Sequence, residues 1–161
     1  MAFYSESDFQ PGTSIGYLAR RVFQLTATAL EPVFVPDDIT MTQWSALVSI
    51  HFNSGGTCAE LARDLSHDKG ATTRLVDALV DMGLVERGRD AADRRIVTLS
   101  LTAKGTAIAQ RARSRVIDCW NDWLDDWDHD EARELIRLLD KLRGTLADKT
   151  AQAKLGEDTC A

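Results

Sequence analysis

Small and basic side chains are concentrated in a short segment near the middle of the chain. The segment holds Lys69, Gly70, Thr72, Thr73 and Arg74. Small residues let a backbone approach the floor of a DNA groove, threonine hydroxyls can bond phosphates or bases, and cations attract the phosphate backbone. We therefore interpret these positions as the exposed early turns of a helix that contacts DNA.

A second cluster begins 13 residues after the first and is rich in arginine. It holds Arg87, Arg89, Arg94 and Arg95 within nine residues, with Asp93 among them. An arginine can enter a narrow minor groove, where the negative potential of DNA is strongest. Because phosphate repels a carboxylate, we expect Asp93 to hold a neighbouring guanidinium through a charge-assisted hydrogen bond.

Capping residues and apolar periodicity predict the elements that carry the first cluster. Thr57, with Glu60 three residues later, predicts a capping box that opens a short helix. A turn at residues 66–68 leads into a second helix over residues 69–82, and Gly83 ends it in the position that favours a left-handed cap. Two short helices joined by a tight turn have the layout of a helix-turn-helix.

The apolar period after Gly83 changes from that of a helix to that of a strand. Residues 84–87 and 96–101 are predicted to pair as a hairpin, with the charged residues 88–95 as its projecting loop. A hairpin in this place is the wing of a winged helix. The predicted fold class is therefore mainly α with a small β-hairpin wing.

Longer amphipathic helices are predicted on both sides of this lobe. The first begins near residue 13 and approaches its end at Pro32 and Pro36, and a second capping box, Thr40 with Gln43, opens the next. Thr102 is expected to cap a long helix, and Asp130 the last one. The stripe formed by Trp120, Trp123 and Trp127 is interpreted as packing across a dimer interface.

These elements predict four regions. They are an N-terminal arm with a dimerisation helix at residues 1–36, a winged helix-turn-helix DNA-binding lobe at residues 37–102, two dimerisation helices at residues 103–148, and a flexible tail at residues 149–161.

The charge of the chain is unevenly distributed. The net charge is −6, but residues 1–117 carry 13 basic and 13 acidic side chains, so the whole excess lies in residues 118–161. An acidic C-terminal segment can point away from a nucleic acid, so the net charge does not exclude DNA binding. No apolar run is long enough to span a membrane and no secretory signal begins the chain, which predicts a cytoplasmic protein.

The second cluster leads into a recognisable motif. Asp93, Arg95, Leu101 and Thr102 occupy the fixed positions of the DxRxxxxxLT signature, so the chain resembles the MarR family of bacterial regulators. Residues 39–44, 68–79 and 83–87 are similar to other segments of that family. The resemblance implies a homodimer that reads a palindromic operator in double-stranded DNA, and control by a small, often phenolic ligand.

The resemblance also implies a ligand pocket between the dimer helices and the DNA-binding lobe. The candidate side chains are Tyr17, Arg21, Trp44 and His51. The aromatic rings could stack on an aromatic effector, and Arg21 could meet its carboxylate or phosphate. The function predicted is a repressor that such an effector releases from its operator. Each of these residues, taken alone, is also compatible with a place in the core or on the surface.

Two other functions are compatible with this sequence. Cys58 or Cys119 could make a redox-sensing regulator of this fold, and a winged helix can also be a protein-interaction module. No phosphate loop, dinucleotide motif, nucleophile elbow or zinc-ligand spacing is present, so neither an enzyme nor a cofactor or metal site is predicted.

Overall fold

The computed structural model describes residues 2–53 and 56–158, with side chains up to Thr150 and at Gln152. The chain divides into two compact units, Met1–Cys119 and Trp120–Ala161. In order, the elements are α1 (Ile15–Phe34), a 3-10 turn (Val35–Asp37), α2 (Met41–Phe52), α3 (Cys58–Asp64), α4 (Lys69–Asp81), β1 (Val85–Arg89), β2 (Val97–Leu101), α5 (Ala103–Trp123) and α6 (His129–Asp158). The prediction of a mainly helical fold with one β-hairpin is confirmed.

Both capping boxes form as the sequence predicts. At α2, the amide of Gln43 donates to Thr40 Oγ1 at 3.1 Å, and Gln43 Oε1 accepts from the Thr40 amide at 2.8 Å. Thr57 and Glu60 make the same reciprocal pair at the start of α3. Side chains thus satisfy amides that have no partner inside the helix, and this fixes where each helix begins.

The turn between α3 and α4 is tight and is closed by Asp68. Ser66 adopts a positive φ of 53°, and Asp68 Oδ1 then accepts from the Ala71 amide at 2.8 Å, which makes Asp68 the N-cap of α4. Gly83 has a φ of 68°, as its predicted role in ending this helix requires.

The hairpin is antiparallel, with Val85 opposite Leu101 and Arg89 opposite Val97. β1 extends two residues further than predicted, through Gly88 and Arg89, so the loop is shorter. Gly88 permits this because a Cβ at that position would lie only 3.0 Å from Thr98 Oγ1. The Leu99 amide also donates to the carbonyl of Gly56 at 2.9 Å, which fastens the hairpin to the start of α3.

The core of the first unit lies where the end of α1, the helices α2, α3 and α4, the hairpin and α5 meet. Its fully buried side chains are Phe34, Leu30, Leu47, Leu79, Leu84, Leu99, Val76 and Thr72. Gly105 brings α5 against the hairpin, since a Cβ there would lie 1.9 Å from the carbonyl oxygen of Leu84. Thr102 caps α5 as predicted, accepting from the Gly105 amide at 3.0 Å.

The N-terminal arm folds back onto the start of α1. The hydroxyl of Tyr4 donates to the carbonyl of Thr13 and accepts from the amide of Ile15, both at 3.0 Å. Ser14 is the N-cap of α1. The helix ends at Phe34, between the two prolines that the sequence placed near its end.

The second unit consists of the end of α5 and the long helix α6. The predicted cap at Asp130 is wrong, because Asp128 Oδ1 accepts from the Asp130 amide at 2.9 Å and α6 begins at His129. The backbone stays helical to Asp158, beyond Lys149 where a tail was expected, since residues 151–155 are mostly strong helix formers. The flexibility of that tail stays a prediction, and residues 159–161 lie outside the described residues.

No helix in the described ranges is long and apolar enough to cross a membrane.

Candidate nucleic-acid interface

The exposed face of α4 carries four of the five predicted residues of the first cluster. Lys69, Gly70, Thr73 and Arg74 are exposed, and the two cations make no ion pair with any residue that the structure describes. Thr73 Oγ1 donates to the carbonyl of Lys69 at 2.8 Å and keeps lone pairs available as acceptors. This face therefore presents cations without described ion-pair partners and a hydroxyl group that can still accept hydrogen bonds.

The predicted exposure of Thr72 is wrong. Its side chain is only 1% exposed, and its hydroxyl donates to the carbonyl of Asp68 at 2.9 Å. Thr72 precedes Val76 and Leu79 by four and seven residues, so it shares their buried face of the helix. It supports α4 from inside and leaves Thr73 as the exposed threonine.

The wing arginines divide into two pairs. Arg94 and Arg95 are exposed in the loop, and neither guanidinium has an ion-pair partner in the described part of the chain. Arg89 is turned inward, since its Nη1 donates to the carbonyl of Arg94 at 2.8 Å. Arg87 makes an ion pair with Asp77 of α4, with Nη2 and Oδ1 2.5 Å apart. Only Arg94 and Arg95 are thus available to a partner without breaking an internal bond.

Among the described residues no guanidinium pairs with Asp93, so the prediction that it holds a neighbouring arginine is wrong. Asp93 Oδ1 accepts from the backbone amide of Arg95 at 2.9 Å, which is nearer to it in the tight loop than any guanidinium. Asp90, which the sequence interpretation missed, accepts from the amides of Ala92 and Asp93. These two amide bonds lower the pKa of Asp90 below its ordinary value. The spacing of Asp90 and Asp93 in a short loop is a sequence signal for this arrangement, because aspartate side chains in turns commonly accept from backbone amides two or three residues later.

The start of α4 carries a negative charge as well as positive ones. The pKa of Asp68 is lowered, chiefly by its hydrogen bond from the Ala71 amide. The carboxylate therefore stays ionised and offsets the positive end of the helix dipole. Attraction of phosphate at this end of α4 depends on the side chains of Lys69 and Arg74 rather than on free amides.

A buried carboxylate anchors α5 to the segment before α2. Asp37 accepts from Arg111 Nη2 at 2.6 Å and from Arg115, while its own side chain is only 6% exposed. Burial by itself raises the pKa of Asp37, but the two guanidinium bonds and their charges outweigh it, so the pKa is lowered. This pairing places α5 beside the lobe.

The predicted effector residues on α2 have different surroundings. Trp44 packs on Phe34 with ring centroids 5.5 Å apart, and its Nε1 is buried without a hydrogen-bond partner in the described chain. His51 meets Phe52 edge to face at 5.1 Å. It lines a cavity of about 50 Å³ together with Arg113 of α5, whose guanidinium lies 5.8 Å from the centre of the Phe52 ring. Phe52 and Arg113 were not predicted, because only the packing of α2 on α5 reveals them.

Tyr17 and Arg21 lie in the exposed first half of α1, whereas its buried residues are in its last turns. Arg21 is about 20 Å along the helix from Phe34, the residue against which Trp44 packs. One chain therefore does not bring the four predicted effector residues together.

The cysteines in the described residues give no sign of a reactive site. Cys58 and Cys119 are both reduced and half-buried, and each packs against the apolar core. No group of three potential metal ligands occurs within the described ranges. Cys160 lies outside the described residues.

Comparisons with known proteins agree with this geometry. The model of the MarR family matches residues 39–97. The multiple antibiotic resistance protein MarR of Escherichia coli is 36% identical over 129 residues, which cover 80% of this chain and 90% of that protein. An HTH-type transcriptional repressor of Mycobacterium tuberculosis is 30% identical over 128 residues, 80% of this chain and 92% of the relative.

Solved structures show the same architecture. A mutant E. coli MarR complexed with operator DNA superposes with a TM-score of 0.70 at 36% identity, over 80% of this chain and 92% of the other. CouR from Rhodococcus jostii, bound to p-coumaroyl-CoA, gives 0.75 at 24% identity over 83% and 94%, and this likeness concerns the fold alone. The relatives carry the names of transcription regulators, not of enzymes. The chain belongs to the MarR family of winged helix-turn-helix transcription regulators.

Proposed function

We propose that this protein is a dimeric, cytoplasmic repressor that binds a palindromic operator and is released from it by a small anionic aromatic ligand. The observation that carries the proposal is a set of cations on one lobe that make no ion pair with any described residue: Lys69 and Arg74 on α4, and Arg94 and Arg95 on the wing. Cations without internal partners can neutralise phosphates at no cost in internal ion pairs.

The two cation pairs suit different grooves of DNA. The exposed early turns of α4, with Thr73 between Lys69 and Arg74, have the size and polarity for the major groove. The wing loop, with Arg94 and Arg95 at its surface, suits a minor groove beside it. The E. coli relative was solved in complex with operator DNA, which supports DNA as the partner of this lobe.

A dimer is proposed because apolar side chains on α1 and in the second unit are exposed. On α1 they are Ile15, Leu18, Val22, Phe23 and Leu25, and on α6 they are Leu135, Ile136, Leu138, Leu139 and Leu146. Monomeric proteins rarely leave apolar surfaces of this extent open to water. Two copies joined by a twofold axis would present two α4 helices, which must lie about 34 Å apart to enter successive major grooves.

The ligand site is proposed at the cleft between α2 and α5. Arg113 and His51 supply polar contacts for an anion, and Phe52 supplies an aromatic surface. A cavity of about 50 Å³ is too small for an aromatic ring, since benzene fills one of about 150 Å³. A ligand must therefore open the cleft, and the free energy of opening couples its binding to the position of α5. CouR, which shares this fold, was solved with p-coumaroyl-CoA bound, so the fold can hold an aromatic thioester.

The Trp44 Nε1 donor, which has no hydrogen-bond partner among the described residues, supports a second ligand contact on the same helix. Trp44 and His51 lie on one face of α2 about 10 Å apart. A buried N–H without a partner costs free energy, which an acceptor atom of a ligand would recover. In a dimer, Tyr17 and Arg21 would reach such a ligand from the partner rather than from the same chain.

The test begins with selection of binding duplexes from a random-sequence library by the wild-type protein. An enriched palindrome is expected, and the affinity of the protein for it should fall with salt at a logarithmic slope of about −7, for eight phosphate contacts in the dimer.

Phenolic acids and their thioesters are then titrated into the complex while anisotropy and tryptophan fluorescence are followed. We expect release with quenching, and loss of release in Arg113→Gln. Release by peroxide alone would instead assign sensing to Cys58 or Cys119, and absence of any enriched sequence would refute DNA binding.

A further inference from the structure

Asp77 places a carboxylate on the DNA-facing side of α4. It follows Thr73 by four residues and Arg74 by three, so it shares their face of the helix. The side chain is 51% exposed. An ionised carboxylate beside phosphates would oppose the binding that the rest of this face favours, so its charge requires a partner.

Arg87 of β1 is that partner. Its Nη2 donates to Asp77 Oδ1 at 2.5 Å, and this hydrogen bond is the largest cause of the raised pKa of Arg87. Asp81, one turn further along α4, also acts electrostatically on this guanidinium. Among the described residues, this is the ion pair that joins α4 to the hairpin.

The position of the pair along the hairpin gives it mechanical importance. The base of β1 is held by the buried Leu84 and Val85, whereas the loop with Arg94 and Arg95 is exposed. Arg87 lies about 7 Å beyond Val85, between the fixed base and the open loop. A small rotation of the hairpin about its base would displace the loop arginines by a larger amount, and a bond at Arg87 opposes that rotation.

We propose that Arg87 is a positioning residue. Its bond to Asp77 fixes the wing relative to α4, so that the wing and α4 can contact DNA at the same time. This inference rests on the proposed DNA-binding function. The competing assignment is a direct contact between Arg87 and a phosphate. The two roles differ in their requirement for Asp77. Removing the Asp77 carboxylate would strengthen a direct phosphate contact by Arg87, whereas it would abolish the positioning bond between Arg87 and Asp77.

The experiment compares four variants on a duplex selected from a random-sequence library by the wild-type protein. They are Asp77→Asn, Arg87→Gln, the double variant, and Asp81→Asn as the matched control. Asp77→Asn and Asp81→Asn remove the same charge from the same helix, but only the first breaks the 2.5 Å bond. Affinity is measured across a range of salt concentrations, and thermal unfolding confirms that each variant folds, as expected for half-exposed polar residues.

We expect Asp77→Asn and Arg87→Gln each to weaken binding about tenfold, because the pair is lost in both wings of a dimer. The double variant should be no weaker than either single one, Asp81→Asn should bind at least as tightly as wild type, and the salt slope should not change. If Asp77→Asn binds the duplex as tightly as Asp81→Asn does, the positioning role of Arg87 is refuted. A salt slope lowered by about two in Arg87→Gln would refute it as well, because it would indicate a lost phosphate contact in each copy. If the wild-type protein selects no sequence, the proposed function fails and this role with it, which separates the two failures.

Discussion

The lobe around α4 and the helix α6 use arginine and leucine in opposite ways. In the lobe, Arg94 and Arg95 lack ion-pair partners within the described chain, while leucines such as Leu79 and Leu99 are buried. In α6, the arginines pair with carboxylates three residues earlier, while the leucines are exposed. The difference indicates what each surface needs from a partner: the exposed arginines of the lobe lack an anionic partner, and the exposed leucines of α6 lack apolar contact.

This contrast also explains how an acidic chain can act on DNA. The net charge of −6 arises from residues 118–161, where the arginines of α6 are already neutralised by neighbouring carboxylates. Residues 1–117, which include the lobe, carry 13 basic and 13 acidic side chains, and the lobe exposes cations that have no ion-pair partner among the described residues. Association with phosphate depends on this local arrangement and not on the sum.

The largest effect is expected from placing a charge on the apolar face of α6. Leu139→Asp should dissociate the proposed dimer and weaken operator binding by at least about 100-fold, since each copy loses a buried leucine and must desolvate a carboxylate. Sedimentation velocity and anisotropy measure the two effects. Lys141→Asp, on the opposite face of the helix, is the control and should remain dimeric. A Leu139→Asp protein with wild-type mass and affinity would contradict the assignment of this face.

An intermediate effect is expected from an unpaired cation of the lobe. Arg95→Ala should cost about 1–3 kcal/mol of DNA-binding free energy and leave the unfolding temperature unchanged, because its guanidinium makes no ion pair in the described chain. Anisotropy on the selected duplex measures the loss. Unchanged affinity in this variant would mean that the wing does not contact DNA.

The paired charge at Asp37 gives a smaller, pH-dependent effect on stability. Its folded pKa is lowered, so the stabilisation is present above the unfolded carboxyl pKa of about 3.9 and is lost as pH falls through the folded value. At pH 7, Asp37→Asn should lower the free energy of unfolding by about 2 kcal/mol, and the gap to wild type should close in acid. Urea unfolding at neutral and acid pH measures it. A gap that stays constant with pH would show that the pairing does not stabilise the fold.

The smallest effect is expected from a paired arginine of α6. Arg137 is bonded to Glu134 at 2.7 Å on an exposed surface, where solvent screening leaves an ion pair little effect on stability. Arg137→Ala should leave both operator affinity and its salt dependence at the wild-type values. A salt slope lowered as much as in Arg95→Ala would erase the distinction between the two regions.

Signals confined to a few neighbouring residues predicted the structure well. The capping boxes at Thr40 and Thr57, the left-handed Gly83 and the cap at Thr102 are all confirmed, because each depends on contacts within three or four residues. The winged-helix prediction depends on the order of such elements and is confirmed with them.

Signals that depend on rotation or on distant packing were less reliable. Thr72 was placed on the wrong face because one helical position differs from the next by only 100°, and neither neighbour is strongly apolar. Asp93 was given a guanidinium because the sequence does not show which amides a tight loop leaves open. The four predicted effector residues do not line one cavity in the described chain: the cavity at His51 lies between α2 and α5, whereas Tyr17 and Arg21 lie on the exposed first half of α1.

The contact between Gly105 and Leu84 has a consequence for how the lobe can respond to a ligand. Backbone touches backbone there, with no side chain between them that could change rotamer and absorb a displacement. A tilt of the first turns of α5 would therefore displace Leu84 directly, and the hairpin that follows Leu84 would move together with the helix. A ligand that opens the α2–α5 cleft by a fraction of an ångström would thus move the wing through α5. The orientation of the hairpin would change, while its local structure would be preserved.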